Sequence, residues 1–357
     1  MPTPPSTDQL ARDPHTALRE LREREGPVAW VPALNAWLVL TRARALEVMR
    51  DDATFTVDDP RFTTGRVVGP SMLTLDGAEH ARHREPFARP FRRAAVLERF
   101  TPVVEAEAAR LADRLAPGAD LRRGFAGPLA AAIVTHALGL QAVGVQRVLG
   151  WYDAIVGAVT ELTAGRPLPR SGEEGFAALR EALLAGGVPD DEAVSNNAVL
   201  LFGGIETTEG MIANALWHLL TNADALALVR DDPALLVNAV EESLRLEPAA
   251  ATIDRYATRD ADAIRAGDLV SVSIAAANRD PAVFEDPDRF DVRRANAKLH
   301  LAFAHGPHVC IGMHLARLEA HVALRVVLDR FPALRLAEPT APRGLVFRKP
   351  PVLRVDF

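Results

Sequence analysis

FAHGPHVCIGMHLARLE, residues 303–319, contains the one cysteine of a 357-residue chain. Gly306-Pro307 ahead of it is a tight-turn pair that can fold the preceding chain around a sulfur. After Gly312, Leu315, Leu318, Val322 and Val326 recur on one helical face, which predicts a helix over 312–331. The free N–H groups and dipole of a helix mouth favour an anion there. Cys310 is therefore predicted to have its pKa lowered toward thiolate, the form that binds iron. A lone cysteine is ordinarily a small buried hydrophobe, so the rest of the chain must decide.

Hydrophobic content of 48% and charged content of 25% are those of a soluble globular protein. No apolar run is long enough to span a bilayer, and the start, MPTPPSTDQLARDP, has no signal core, so a cytoplasmic location is expected. One cysteine excludes a disulfide framework and a Cys-rich zinc site. A net charge of −6 argues against a general nucleic-acid binder. Helical periodicity runs through 93–115, 191–221, 233–246 and 312–331. Extended pieces are expected at 36–40, at 269–274 and around 352–355, and loops at 165–172 and 186–190. This predicts one mainly α domain over 1–357 with a small β portion.

The cysteine stretch resembles the haem-ligand loop of the cytochrome P-450 family, Phe-Gly-x-Gly-x-His-x-Cys-x-Gly. Phe303, Gly306, His308, Cys310 and Gly312 match it, as do Leu315, Ala316 and Arg317 beyond; Ala304 replaces the first glycine. The resemblance implies that Cys310 is the proximal thiolate of haem iron and that His308 bonds a haem propionate. Thiolate ligation donates electron density that favours O–O cleavage.

LLFGGIETTEG, residues 200–210, places two glycines, an acid and two threonines inside an apolar helical run. Each glycine costs about 1 kcal/mol relative to alanine. A close helix–helix contact would explain the glycines. Thr207, four residues after Gly203, can bond its carbonyl and bend the helix. The string resembles the family's Gly-Gly-x-Asp/Glu-Thr stretch. That implies that Gly203 and Gly204 admit the macrocycle to the helix backbone, and that Glu206 and Thr207 relay protons to dioxygen.

EESLRLEP, residues 241–248, sets Glu242 and Arg245 three apart on one helix face, with Glu241 able to compete for the arginine. Its place in the chain and the later PDRF at 287–290 resemble the family's structural Glu–Arg–Arg cluster, with Arg289 as the third arm. DGAEHARHREPF, residues 76–87, puts His80 and Arg84 on one helix face, and DRYATRD supplies Arg255. By the resemblance these three and His308 converge on the haem carboxylates, a charge-assisted arrangement. Arg89, Arg92 and Arg93, read as continuing the His80 helix, form a positive patch against the overall charge. In the family that helix lies on the cysteine side of haem, where acidic ferredoxins dock.

The resemblance covers the chain from about residue 26 and implies the family's triangular-prism fold, with haem between the long glycine-broken helix and the Cys-loop helix. Between 140 and 196 the chain is several tens of residues shorter than the family usually is across its substrate lid and the segment behind it, so one or two of the helices there are expected to be short or absent. The implied activity is a monooxygenase using haem b and O2 on a hydrophobic small molecule, in specialised metabolism. Its electrons would come from separate ferredoxin and ferredoxin reductase, or flavodoxin, and the protein is expected to be a monomer. By analogy the substrate pocket is lined by Val67, Val68, Met72, Phe202, Ile205, Ala250, Thr252, Ile253 and Phe347. Oxidative crosslinking or nitration are alternatives within the family, and a haem sensor or carrier is one outside catalysis. The intact Glu206–Thr207 pair speaks against a carrier and against a peroxide-driven variant.

Overall fold

The computed structural model describes residues 4–163 and 165–357. The chain opens with helices α1 (Thr7–Arg12) and α2 (Pro14–Glu25), Asp13 capping the second. Strands β1 (Val28–Val31) and β2 (Ala36–Val39) form a hairpin. Then come α3 (Arg42–Arg50), β3 (Phe55–Thr56), α4 (Thr63–Val68), α5 (Gly77–Ala88) and α6 (Arg93–Ala112). β4 (Ala119–Asp120) and a π-helical turn at Arg122–Ala126 lead into α7 (Gly127–Ala137). α8 (Val145–Thr163) and α9 (Arg170–Ala185) pack on each other ahead of the long α10 (Asp191–Thr221). α11 (Ala223–Asp231), α12 (Leu235–Leu246), β5 (Thr252–Ala257), β6 (Leu269–Ser273) and the short α13 (Ile274–Ala277) follow. α14 (Met313–Arg330), β7 (Arg335–Leu336) and β8 (Arg354–Asp356) complete the chain.

The larger sheet has the order β1-β2-β6-β5-β3, antiparallel except for the β2–β6 pair; the smaller is β4-β8-β7, antiparallel throughout. A main core of buried residues joins α6, α7, α10, α12 and α14, through Phe100, Leu129, Leu216, Val240 and Leu324 among others. A second core unites α4, α8, α9 and the first half of α10 around Val67, Trp151, Ile155, Leu179 and Leu201. The sheet has its own clusters beside α2 and α3.

Three expectations change in detail. α10 is continuous through Gly203 and Gly204 rather than broken, because helical hydrogen bonding carries on where side chains are missing. Residues 89–92 do not continue the His80 helix: they form a turn containing Pro90, and Arg93 begins α6. Residues 170–172, read as loop, open α9, and only the end of 352–355 becomes strand. The stretch 140–196 holds two helices, α8 and α9, and behind them a short turn joins α9 directly to α10, in keeping with its reduced length. Among the described residues no helix is long and apolar enough to cross a membrane.

Candidate active site

The Cys310 loop is shaped by two left-handed residues. Gly306 has φ 74°, and a Cβ there would lie 2.3 Å from the carbonyl oxygen of Met49, so only glycine fits. Ala304, standing where the family motif has glycine, also adopts φ 58°; for a non-glycine residue that costs about 1–2 kcal/mol. The Cys310 N–H donates to the Phe303 carbonyl at 2.8 Å, closing the loop. Cys310 is solvent-accessible although its thiol is closely surrounded by the chain, and the Gly312 N–H points at it from the α14 mouth. In the protein alone the thiol is pushed up by burial, which outweighs Gly312, Arg84 and Arg317. The predicted lowering is thus corrected: the helix mouth contributes in the expected direction but desolvation is larger.

Arg317 anchors this loop from α14. Its guanidinium covers the Phe303 ring at 4.5 Å and donates to both oxygens of Glu241, at 2.7 and 2.9 Å. Glu241 therefore does not compete for Arg245. Burial alone would raise the Glu241 carboxyl; hydrogen bonds from His300 and Arg317 outweigh it and hold it at about 2.

The basic residues gather as expected. The His80 and His308 rings lie 4.2 Å apart, and Arg84 donates to the Val309 carbonyl at 2.6 Å. Arg255 is buried on β5, with its hydrogen bond going to the Asp254 carbonyl at 2.8 Å and with Asp76 near enough to act on its charge. His308 bonds Asp76 at 2.7 Å. Asp76 also accepts from Thr56 at 2.6 Å and from the Val57 N–H at 2.8 Å. These bonds overcome burial and keep its carboxyl well below the usual range. His80 is held down to about 4, first by burial and then by the neighbouring His308 and Arg84. Its Nε2 is buried without a partner. Asp76 stands in the quoted DGAEHARHREPF stretch, yet nothing in the sequence marked it as the partner of His308.

On α10 the two glycines divide their tasks. A Cβ on Gly204 would lie 2.5 Å from Val134 Cγ2 of α7, so that glycine serves helix packing. A Cβ on Gly203 would meet nothing within 4 Å, so that face fronts open space. The Thr207 hydroxyl donates to the Gly203 carbonyl at 2.5 Å, as its spacing predicted. Glu206 is held by two residues the sequence reading missed: Tyr152 of α8 donates to Oε2, and Lys349 Nζ lies 2.8 Å from Oε1. The sole available hint was rarity, since Lys298 and Lys349 are the chain's two lysines and Tyr152 one of two tyrosines.

Glu242 and Arg245 form a fully buried bidentate pair at 2.7 and 2.8 Å. The third arm is not Arg289 but Arg294, whose Nε donates to Glu242 at 2.9 Å. The turn after Pro287 sends the Arg289 side chain to solvent and its carbonyl inward, where it accepts from Arg245 and Arg294. Of the pocket residues, Val67, Val68, Phe202 and Ile205 share one cluster. Phe347 meets Phe202 edge-on at 5.7 Å and bridges Ala250. Met72 is buried, its N–H donating to Asn196 of α10 at 2.7 Å. Thr252 and Ile253 depart from this group: the first borders Leu10, Leu18 and Leu345, and the second packs on the sheet cluster. Arg89, Arg92 and Arg93 are exposed and form no ion pair among the described residues; Arg93 lies near enough to His314 of α14 to lower its pKa after burial.

A mainly helical chain with a free thiol at a helix mouth, a cationic cluster behind it and an acid–alcohol pair on the longest helix defines a haem-thiolate protein class. A family model described as Cytochrome P450 matches residues 180–351. The chain is 35% identical to cytochrome P450 monooxygenase PikC of Streptomyces venezuelae, over 97% of this chain and 90% of that one. It is 33% identical to nocardicin C N-oxygenase of Nocardia uniformis subsp. tsuyamanensis, over 98% and 96%. The epothilone D-bound structure of cytochrome P450epoK superposes with a TM-score of 0.86 at 26% identity, covering 100% of this chain and 99% of that one. The chain belongs to the cytochrome P-450 family, has its fold and is a bacterial-type monooxygenase, for which the family implies haem iron and O2.

The residues present fit that group. An unpartnered buried His80 Nε2 beside His308, Arg84 and Arg255 suits a dianion, a free thiol suits iron, and the bare Gly203 face admits a flat ring.

Proposed function

We propose that the chain binds haem b, with Cys310 as the iron ligand and His80, Arg84, Arg255 and His308 on its propionates. Phe303 and Gly312 shape the thiolate side and Gly203 the opposite face. The observation that carries this reading is the orphaned, buried His80 nitrogen set among cations next to an exposed cysteine. When bound, haem supplies activation of dioxygen; one oxygen atom enters the substrate and the other leaves as water, consuming two electrons and two protons.

The remaining work falls to side chains. Thr207, anchored on the Gly203 carbonyl, holds its hydroxyl oxygen toward the open space as a proton acceptor and donor. Glu206, one residue earlier, passes protons to it. Val67, Val68, Phe202, Ile205 and Phe347 offer an apolar wall for a hydrophobic substrate of specialised metabolism. The nocardicin C N-oxygenase and the epothilone D-bound structure support that setting by the compounds they name. Thr207→Ala tests the relay. Substrate affinity should persist while product per electron falls and peroxide rises; unchanged coupling would remove Thr207 from the role.

Electrons would come from an acidic ferredoxin docking at Arg89, Arg92 and Arg93. The support is an unpaired positive patch next to α14 in a chain of net charge −6. Arg92→Glu with Arg93→Glu should slow ferredoxin reduction in stopped flow at low salt. The gap should close as the Debye length falls below about 10 Å. Equal rates at low salt would leave these arginines as ordinary surface charge.

A further inference from the structure

Behind the acid–alcohol pair lies a charge cluster assembled from four parts of the chain. Glu206 and Glu209 stand three residues apart on α10, and Lys349 Nζ sits between them, 2.8 Å from Glu206 Oε1 and 2.6 Å from Glu209 Oε2. Arg122 of the π-helical turn faces the far side of Glu209, its Nε 2.8 Å from Oε1. Tyr152 of α8 occupies the other oxygen of Glu206. Burial and the adjacent Glu206 push the Tyr152 hydroxyl up, so it remains the donor of that bond. The lysine side chain is 12% exposed and its two carboxylates 15% and 10%, so these pairs are little screened.

Two features set this cluster apart from a structural tie. Both oxygens of Glu206 are engaged, and an ammonium against Oε1 favours the charged carboxylate, so Glu206 takes up a proton for Thr207 more readily when the lysine lets go. Lys349 can let go without being stranded, because Glu209 offers a second acceptor one turn along. An ammonium left unpaired in such a place would otherwise be costly. The geometry points to Lys349 as the positioning residue of proton delivery: it alternates between Glu206 and Glu209, and Glu206 carries protons while the lysine rests on Glu209. Arg122 keeps Glu209 in place to receive it, and Tyr152 ties the acid to the lid helix. This inference rests on the acid–alcohol reading of Glu206 and Thr207.

The test compares Lys349→Met, Lys349→Arg and Thr207→Ala in the haem-loaded enzyme. Lys349→Met should leave the carbon-monoxide spectrum and the substrate-induced spectral shift as in the parent. Product per electron should drop by about tenfold, short of the hundredfold or more that loss of a positioned acid can cost. Lys349→Arg should restore most of the coupling, which lost packing alone would not explain. Full coupling in Lys349→Met, with Thr207→Ala uncoupled, would overturn the lysine's role and leave the relay standing. Full coupling in both would remove the relay and the inference with it. A readout independent of turnover covers the case in which Lys349→Met folds poorly. In the diamagnetic ferrous carbon-monoxide form, 15N-lysine labelling gives signals from two residues, exposed Lys298 and Lys349. The Lys349 ammonium should exchange slowly and shift in both Glu206→Gln and Glu209→Gln. An ammonium that exchanges as fast as that of Lys298 and moves in neither variant refutes the shared site.

Discussion

Around Cys310 the chain is held by partners specific to single residues; in the α8–α9 hairpin the fixing contacts are apolar packing, closest where glycines meet alanines. Gly306 meets the Met49 carbonyl, Arg317 grips Glu241, and the neighbouring Glu242 gathers Arg245 and Arg294. In the hairpin, Gly172 and Gly175 let α9 close on Ala158 and Ala154 of α8, where an added Cβ would lie 2.4 and 2.6 Å from theirs. Charges and forced backbone angles tolerate few residue types, whereas apolar packing tolerates many that conserve volume. The thiol side is therefore specified residue by residue, and the lid by size and pattern.

The sharpest break of this contrast is Glu242→Ala. It strands two buried guanidinium groups, and loss of one partner of a buried pair costs about 3–5 kcal/mol. Little haem-loaded protein should accumulate; normal yield and haem content would show the charge cluster to be dispensable.

Acid titration probes the Glu241–Arg317 clamp. The folded pKa of Glu241 is depressed to about 2 from an ordinary 4.5, so its stabilisation is present above 4.5 and is lost as pH falls toward 2. At 1.36 kcal/mol per pKa unit this is worth about 3 kcal/mol. Urea unfolding at pH 6 and pH 3 should show about 2 kcal/mol of that loss in the parent, the rest following below pH 3, and a markedly smaller one in Glu241→Gln. Parallel pH dependence in both would contradict the clamp.

On the lid side, Gly172→Val should cost about 1–3 kcal/mol by overpacking against Ala158. Substrate binding should weaken while the haem spectrum stays as in the parent, because the helix it displaces is remote from the thiol loop. A changed haem spectrum would mean that the two regions are not independent. Smallest of all, Ala304→Gly relieves a left-handed alanine but loosens the unfolded chain, so the thermal midpoint should rise by no more than the equivalent of about 1 kcal/mol. A fall would mean that Ala304 packs usefully against the sheet cluster it borders.

The same contrast explains what could be read in advance. The Thr207–Gly203 bond was legible from its four-residue spacing, and the loop and the Glu242–Arg245 pair from their resemblance to the family's motifs in the family's order. Arg294 was missed for Arg289 because the turn after Pro287 decides which side chain faces inward, and a turn's direction is not written in its spacing. Asp76, Tyr152 and Lys349 reach the site from distant segments, 232, 54 and 143 residues from the groups they hold. Only folding brings those together. The lid helices were not read from periodicity, and nothing in the sequence said that glycines set the distance between them.

Cys310 as the iron ligand is the claim on which the account turns. The reduced, carbon-monoxide-bound protein should absorb near the long wavelength peculiar to thiolate-ligated haem, and Cys310→Ser should abolish that band while haem remains bound. A band of the imidazole-ligated type in well-folded parent protein, or a thiolate band surviving in Cys310→Ser, would contradict it.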